Sequence, residues 1–213
     1  MPHFAIASQN PLTQPAPIVR VAGLNEHAAV ADLLLRANRE YRQVLPMRIY
    51  DAYMRDLRDL VGNWWDKDFL IAESDGRLLG AVAFYRDASC LGHNLPQEWA
   101  GFRSLSVDPG VRRRGIGRQL TEACVLWAWR IGRRALCLHN AGFQKPARKL
   151  YLSMGFQRCP QYDFNVGDLP GLDLKDERLA IDAFCLDLES PSARAASPGI
   201  SSTKRRPAPT SMS

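Results

Sequence analysis

The fold is decided by the stretch Leu105-Ser106-Val107-Asp108-Pro109-Gly110-Val111-Arg112-Arg113-Arg114-Gly115-Ile116-Gly117-Arg118-Gln119-Leu120. Residues 102–107 are β-rich and partly alternating, and Asp-Pro-Gly ends them, which predicts a strand. From residue 116 the apolar residues recur on one face at helical spacing, which predicts a helix that Gly132 ends. This apolar face comprises Ile116, Leu120, Cys124, Trp127, Ala128 and Ile131.

The turn between this strand and this helix carries three arginines and two glycines, at residues 112–117. Glycine adopts dihedral angles closed to other residues and lets a ligand approach the bare backbone. The free amides of a first helical turn favour an anion, and arginine adds a charged planar fork that suits phosphate oxygens. The pattern predicts a site for a pyrophosphate; the alternative is a basic, solvated helix start.

The spacing separates this turn from two other phosphate-binding motifs. A P-loop requires lysine followed by Ser or Thr after its last glycine, where this chain has Arg118-Gln119. A dinucleotide fingerprint requires a small residue where Leu120 stands. What remains is Arg-x-x-Gly-x-Gly at Arg112, Gly115 and Gly117, after Leu-x-Val-Asp-Pro. This closely resembles the acyl-CoA-binding motif of the GNAT-type N-acetyltransferases.

A second stretch carries the same resemblance. Ala147-Arg148-Lys149-Leu150-Tyr151-Leu152-Ser153-Met154-Gly155-Phe156 is similar to the family signature Ala-x-x-Leu-Tyr-x-x-x-Gly-Phe. The two motifs stand in the family's order, about one strand apart, and Leu138-His139 at the end of that strand resembles a group of bacterial GNAT proteins. The resemblance covers about residues 18–188.

Apolar periodicity and turn signals predict the order β-α-α-β-β-β-α-β-α-β-β, an α/β (α+β) fold with a mixed central sheet flanked by helices, as in the GNAT fold. Asn25 is the expected N-cap of the first helix. Residues 69–85 are expected to form a hairpin whose loop, residues 74–77, exceeds two residues. Residues 156–164 are expected to form one strand. We expect a disordered tail at 1–17, one domain at 18–188 and a disordered basic tail at 189–213.

Composition sets further bounds on the 213-residue chain, which carries a formal net charge of +6. No apolar run approaches a membrane span, and no secretory signal is evident, so no membrane partner is expected. The five cysteines form no CxxC or His/Cys cluster, so neither metal nor disulfides are expected, which favours the cytoplasm. Acyl-CoA phosphates account for the arginines at the turn, so a nucleic-acid partner is not expected. The sequence is compatible with a homodimer without specifying one.

The resemblance implies a binding site for acetyl-CoA. The backbone of Leu105 and Val107 would pair with the pantetheine arm, amides from Arg113 to Arg118 would hold the pyrophosphate, and an N–H near Val107 would polarise the thioester carbonyl. Many relatives carry Asn where this chain has Gln144, and Asn140 is the other amide available to the pantetheine. The expected donor-site residues are Leu105, Ser106, Val107, Arg112, Arg113, Arg114, Gly115, Ile116, Gly117, Arg118, Asn140 and Gln144.

Two residues are candidate catalysts. Tyr151 stands where the family protonates the departing sulfur, and a phenol, neutral at pH 7, suits that role; the alternative is a core tyrosine. Glu98 is expected to begin the strand before the turn and is the candidate base, or else a surface carboxylate. His93 and His139 titrate in a useful range, although packing at the strand end ranks first for His139. Five aromatic residues are expected either to line an acceptor pocket or to belong to the core: Tyr41, Tyr50, Trp64, Trp65 and Trp99.

The sequence therefore predicts an acetyl-CoA-dependent N-acetyltransferase that acts on a primary amine by direct attack, since no cysteine sits beside an activating His/Asp arrangement. The acceptor amine, small molecule or peptide, is not specified. The alternative is a non-catalytic module of the same fold that binds acyl-CoA or nucleic acid.

Overall fold

The computed structural model describes residues 16–169, 174 and 177–189. The predicted tails fall almost wholly outside these residues, and the expectation of disorder at 1–15 and 190–213 lies outside the described part of the chain.

The described residues form four α-helices and eight strands, and the predicted α/β class is confirmed. The helices are α1 (His27–Asn38), α2 (Met47–Gly62), α3 (Ile116–Arg130) and α4 (Lys145–Ser153). The strands are β1 (Ile18–Val21), β2 (Asp68–Ser74), β3 (Arg77–Tyr85), β4 (Ala100–Val107), β5 (Ala135–Ala141), β6 (Gln157–Arg158), β7 (Phe164–Asn165) and β8 (Ala180–Asp187).

One mixed sheet joins these strands in the order β1-β2-β3-β4-β5-β8-β6, with β7 also on β8. Neighbouring strands are antiparallel except β4 and β5, which are parallel. Helices α1 and α2 pack on one face, where Leu33 and Leu57 meet Ile71. Helices α3 and α4 pack on the other face, where Leu120 and Tyr151 meet Phe102. We refer to these as the α1–α2 face and the α3–α4 face.

Strands β4 and β5 diverge soon after they pair. Their pairing is confined to Ala100 with Leu136 and Gly101 with Cys137. On its other edge β4 shifts register by one residue against β3, and Ser104 there has a φ of 58°. Because an extra residue bends the bulged strand, β4 turns away from its parallel neighbour. The opening that results, beyond Gly101, is called the wedge below.

Four local predictions were wrong. Helix α1 has Glu26 at its N-cap, because residues 24–26 form a 3-10 turn that takes up Asn25. The β2–β3 loop is a two-residue turn, Asp75-Gly76, with positive φ at both positions, which matches the twist of the paired strands. The strand expected at 156–164 is interrupted by a 3-10 turn at residues 160–162. Ile131 was expected on the apolar face of α3, but it follows the last residue of that helix and is 39% exposed.

None of the helices in the described residues is long and apolar enough to cross a membrane.

Candidate functional site

The arginine turn, residues 109–118, is anchored by Asp108 at the end of β4. The Asp108 amide donates to the Leu79 carbonyl at 2.8 Å, and its carboxylate accepts from the Gly110 amide at 2.8 Å and from Arg36 at 3.1 Å. Burial raises the pKa of this carboxyl, but the Gly110 amide and the Arg36 guanidinium outweigh burial and leave the pKa below its ordinary value. The turn therefore starts from a fixed, charged anchor.

The turn presents its backbone amides at the start of α3. Arg113 has a φ of 64° and Gly115 a φ of 83°, so two left-handed residues shape the approach to the helix. The first intrahelical bond runs from the Gln119 amide to the Gly115 carbonyl at 3.0 Å. The amides of residues 116–118 therefore precede the hydrogen-bonded ladder and point out of the helix N-terminus, where an anion is favoured.

Gly117 faces a cleft between α3, the end of β4 and α4. A β-carbon at this position would lie 3.5 Å from Leu150, 3.8 Å from Val107 and 3.9 Å from Leu105, which are ordinary contact distances. The protein's own packing therefore does not require glycine here. A ligand that lies against the bare backbone in this cleft would require it.

The end of β4 offers free backbone groups to the wedge. The Asp108 amide donates to β3, and the backbone N–H and C=O groups of successive residues in a strand point to alternate sides. The backbone groups of Ser106 therefore also point to β3. The backbone groups of Leu105 and Val107 point to the β5 side. Beyond Gly101 that side has no pairing with β5. The expected donor contacts at Leu105 and at the Val107 N–H are therefore available, while the Val107 carbonyl accepts from Arg112 Nε at 3.5 Å. Ser106 is not available to the donor, because its backbone groups point to β3 and its hydroxyl accepts a hydrogen bond from Asn38 at 3.0 Å.

The predicted arginines do not share one role. Arg112 turns back toward α1, where its guanidinium contacts Glu40 at 2.6 Å and donates to the Ala37 carbonyl at 2.8 Å. This corrects its assignment to the donor: the side chain joins the turn to the C-terminal end of α1. Arg118 donates to Ser153 on α4 at 2.8 Å. Arg113 and Arg114 are exposed at the turn, while Ile116 is buried in the core beneath it.

The amide pair at the end of β5 leaves one acceptor open. Gln144 accepts from the Asn140 side chain at 3.3 Å and from the Ala141 amide at 3.1 Å. Asn140 is 1% exposed, yet its Oδ1 has no hydrogen-bond partner among the described residues. A buried polar atom without a hydrogen-bond partner destabilises the fold. This oxygen is therefore a site where the N–H of a ligand would be stabilising.

Tyr151 lies on the α3–α4 face of the wedge. It is 4% exposed, and its ring stands edge-on to Phe102 of β4 at 5.7 Å between centroids. Burial raises the pKa of Tyr151, so the phenol keeps its proton at neutral pH. No residue that the structure describes takes its hydroxyl as a hydrogen-bond partner, and the hydroxyl is thus available to a ligand.

Glu98 is not brought to this site. It is exposed and lies before β4, at the end opposite to the arginine turn and on the paired side of Gly101. The wedge opens on the other side of the Gly101–Cys137 pair, so the structure does not place this carboxylate in it. The sequence suggested Glu98 from its proximity along the chain, and the direction in which β4 runs separates the two.

The aromatic candidates divide between several places. Trp65 is 98% exposed, and Trp64 stacks on His27 with ring centroids 3.3 Å apart. Trp99 contacts Tyr162, and Tyr50 lines a groove beside α2. Among the five, Tyr41 lies beside the β5–α4 loop, where it meets Phe143 at 4.6 Å.

Two residues that sequence reasoning ranked low or missed flank the wedge on the α1–α2 face. Arg103 and His139 each stand two residues beyond the last β4–β5 pair, on the side of the sheet opposite to Phe102 and Leu138. Arg103 pairs with Asp56 of α2. His139 Nε2 lies 3.0 Å from the Tyr162 carbonyl, so this nitrogen carries the proton and Nδ1 keeps its lone pair. Burial lowers the pKa of His139 to about 4, so the ring is neutral at pH 7.

Within the described residues, no group of three or more His, Cys, Asp or Glu side chains could hold a metal ion.

The comparisons with known proteins agree with this geometry. Residues 65–158, which run from β2 through the arginine turn and α4 to β6, match the family model of the acetyltransferase (GNAT) domain. This part of the chain is similar to the GNAT domain. A stretch of 94 residues is 33% identical to N-acetyltransferase family 8 member 3 of Rattus norvegicus, and it covers 44% of this chain. The match spans 40% of that relative's length.

Solved structures share the GNAT fold over most of the chain. The ribosomal-protein-S18-alanine N-acetyltransferase of Escherichia coli aligns with a TM-score of 0.57 and 16% identity, over 82% of this chain and 95% of its own. The yncA protein of Salmonella typhimurium, solved with its cofactor acetyl-CoA, aligns with a TM-score of 0.54 and 19% identity, over 82% and 95% of the two chains. At these identities the likeness shows the fold.

Proposed function

We propose that this GNAT domain transfers an acetyl group from acetyl-CoA to an amine. The observation that carries the proposal is the continuity of three features: unbonded helix amides at residues 116–118, a cleft at Gly117, and free β4 backbone along the wedge. The helix amides suit a pyrophosphate. The cleft and the β4 backbone suit an extended arm that hydrogen-bonds as a strand does and carries a thioester. The acetyl-CoA in the yncA structure supports this donor.

The donor would lie with its pyrophosphate on the turn and its pantetheine along β4. The backbone of Leu105 and Val107 would bond the arm on one side, and the open Asn140 Oδ1 would accept an amide N–H on the other. The Val107 N–H would then lie near the thioester carbonyl and stabilise the oxyanion that forms on it. Acetyl-CoA supplies the activated acyl group.

In the reaction, the amine nitrogen bonds to the carbonyl carbon and the carbon–sulfur bond breaks. The leaving thiolate takes a proton from Tyr151 on the α3–α4 face. We propose direct attack without a covalent cysteine: Cys124 is fully buried, and burial raises the pKa of Cys137 to about 12, so both thiols stay protonated. The free cysteines also support a cytoplasmic location, which stays a prediction.

The proton released by the amine has a receiver in His139. Tyr151 and His139 lie on opposite faces of the sheet at the wedge, so an amine that enters from the α1–α2 face would meet the thioester between them. The neutral Nδ1 of His139 can accept a proton from the amine as the tetrahedral intermediate forms, and the Tyr162 carbonyl keeps the ring oriented.

The His139→Gln variant tests this role. Its amide can still donate to the Tyr162 carbonyl, but it has no basic nitrogen, so we expect kcat to fall by about a hundredfold. The thermal midpoint and the KM for acetyl-CoA should stay near wild type. If kcat is unchanged, His139 is a packing residue only.

An amine panel tests the proposed function itself. Release of free CoA from acetyl-CoA would be followed with polyamines, aminoglycosides, aryl-alkyl amines and peptides with free N-termini, and mass spectrometry would verify the acetylated product. We expect release that depends on at least one amine and that His139→Gln slows. Binding of acetyl-CoA without transfer to any amine would favour the non-catalytic acyl-CoA-binding module.

A further inference from the structure

A second cationic site lies on the α1–α2 face, away from the arginine turn. It is a groove of about 440 Å³ between α2 and the segment that ends α1 and continues as a 3-10 turn at residues 39–43. Four exposed arginines line it, two from each side: Arg39 and Arg42 face Arg55 and Arg58. We call it the arginine groove.

Among the residues that the structure describes, no carboxylate forms an ion pair with these four arginines, unlike many other arginines of the protein. Arg20 pairs with Glu26, Arg36 with Asp108 and Arg158 with Asp163. In the described part of the chain, the side chains of Arg39, Arg42 and Arg55 form no hydrogen bond or ion pair, and Arg58 donates only to the Met54 carbonyl, at 3.3 Å. Arg39 and Arg42 lie three residues apart, as do Arg55 and Arg58, so each pair repels, and the single acid in the lining, Asp51, offsets only part of this charge. An anion in the groove would relieve that repulsion.

The arginine groove is separate from the proposed donor site. The 3-10 turn at residues 39–43 stands between them: Glu40 reaches one way to Arg112 at the arginine turn, and Arg39 and Arg42 reach the other way into the groove. The donor turn leads into α3 on the opposite face of the sheet. An anion bound in the groove is therefore not the pyrophosphate of the acyl donor.

The surroundings favour a compact ligand. Leu35, Tyr50 and Met54 give the groove an apolar and aromatic wall, and its volume falls in the range of small-molecule sites. Asp51 lines the groove with the four arginines, so the charge within it stays positive, and the exposed acids Asp32 and Asp59 lie on the same two helices outside its lining. Asp32 and Asp59 would repel a long polyanion that extends beyond the groove, but not a molecule whose charges are clustered within it.

We propose that the arginine groove binds a small organic phosphate with at least two clustered phosphate groups and an aromatic or apolar body. Paired guanidinium forks from opposite walls match the oxygens of adjacent phosphates. The Tyr50 ring offers a stacking surface for the rest of the molecule. This site goes beyond the proposed acetyl transfer and does not depend on it.

The test is a titration of the full chain with ATP, and separately with pyrophosphate, in the presence and absence of saturating CoA. We expect binding that persists when CoA is saturating, and stronger binding of ATP because its base adds a contact with Tyr50. The Arg39→Ala/Arg55→Ala variant should lose about tenfold or more in affinity. The matched control Arg130→Ala, an exposed arginine at the end of α3, should bind as wild type does.

Three results would overturn the proposal. One is the absence of any ATP or pyrophosphate binding once CoA occupies its site, and another is unchanged affinity in both Arg39→Ala/Arg55→Ala and Arg42→Ala/Arg58→Ala. The third is tight binding of a single-stranded RNA with a steep salt dependence that the same substitutions abolish, which would assign the groove to nucleic acid. Circular dichroism of each variant verifies that these surface changes leave the fold intact.

Discussion

Replacing Gly117 with tryptophan should abolish measurable binding of acetyl-CoA while the chain stays folded. The Gly117 β-carbon position points into the cleft between Val107, Leu105 and Leu150, at contact distance from each. An indole there would fill the space through which the donor passes from the helix amides to the β4 backbone. We expect a loss in affinity of about a hundredfold or more, since the bulk cannot be accommodated without moving α4 or β4. Isothermal titration with acetyl-CoA measures it.

The control for this variant is Gly62→Trp, which adds the same indole at the end of α2. Gly62 is exposed, and no atom lies within 4 Å of its β-carbon position. This variant should bind acetyl-CoA with wild-type affinity. If Gly117→Trp binds equally well, the cleft at Gly117 is not the donor site, and the proposed orientation of the pantetheine along β4 is lost with it.

Much of the site could be predicted because its signals are local in sequence. Helix α3 follows from the apolar spacing that begins at Ile116, and its start is confirmed at that residue. The glycine-arginine turn connects a strand to a helix whose first amides are free, and this arrangement depends only on neighbours along the chain. The order of strands and helices followed from the same periodicity.

The parts that sequence reasoning missed depend on contacts between distant segments. The motif predicts Arg112 as a phosphate ligand, but its guanidinium forms an ion pair with Glu40, 72 residues earlier in the chain. The wedge arises from a bulge in β4 that is defined only by its register against β3. A single-sequence pattern contains neither partner, so neither could be inferred from it.

The choice between Glu98 and His139 shows the same limit. Glu98 lies close to the turn in sequence, but the strand carries it to the opposite end. His139 lies far from the turn in sequence, but the parallel pairing of β4 with β5 places it beside Arg103 at the wedge. A sequence signal did exist in the Leu138-His139 strand end. Its meaning depends on which face of the sheet the imidazole occupies.

Tyr151→Phe should lower kcat by about a hundredfold or more and leave the KM for acetyl-CoA nearly unchanged, as expected for loss of a general acid that acts after the donor binds. The ring stays in the core against Phe102, so packing is kept and only the hydroxyl is lost. Because burial raises the pKa of Tyr151, the phenol keeps its proton throughout the neutral range. Ionisation of Tyr151 should therefore cause no fall in kcat between pH 6 and about 8. Steady-state kinetics with the best amine of the panel measure both constants.

The matched control is Tyr162→Phe, which removes a hydroxyl at the other side of β5 and leaves the Tyr162 carbonyl that orients His139. Its kcat should stay within about threefold of wild type, since no acid–base role is lost. An equal loss in both variants would mean that removing either hydroxyl disturbs the domain as a whole. Unchanged turnover in Tyr151→Phe would mean that the leaving thiolate takes its proton from water, and Tyr151 would then be a core residue whose hydroxyl serves binding alone.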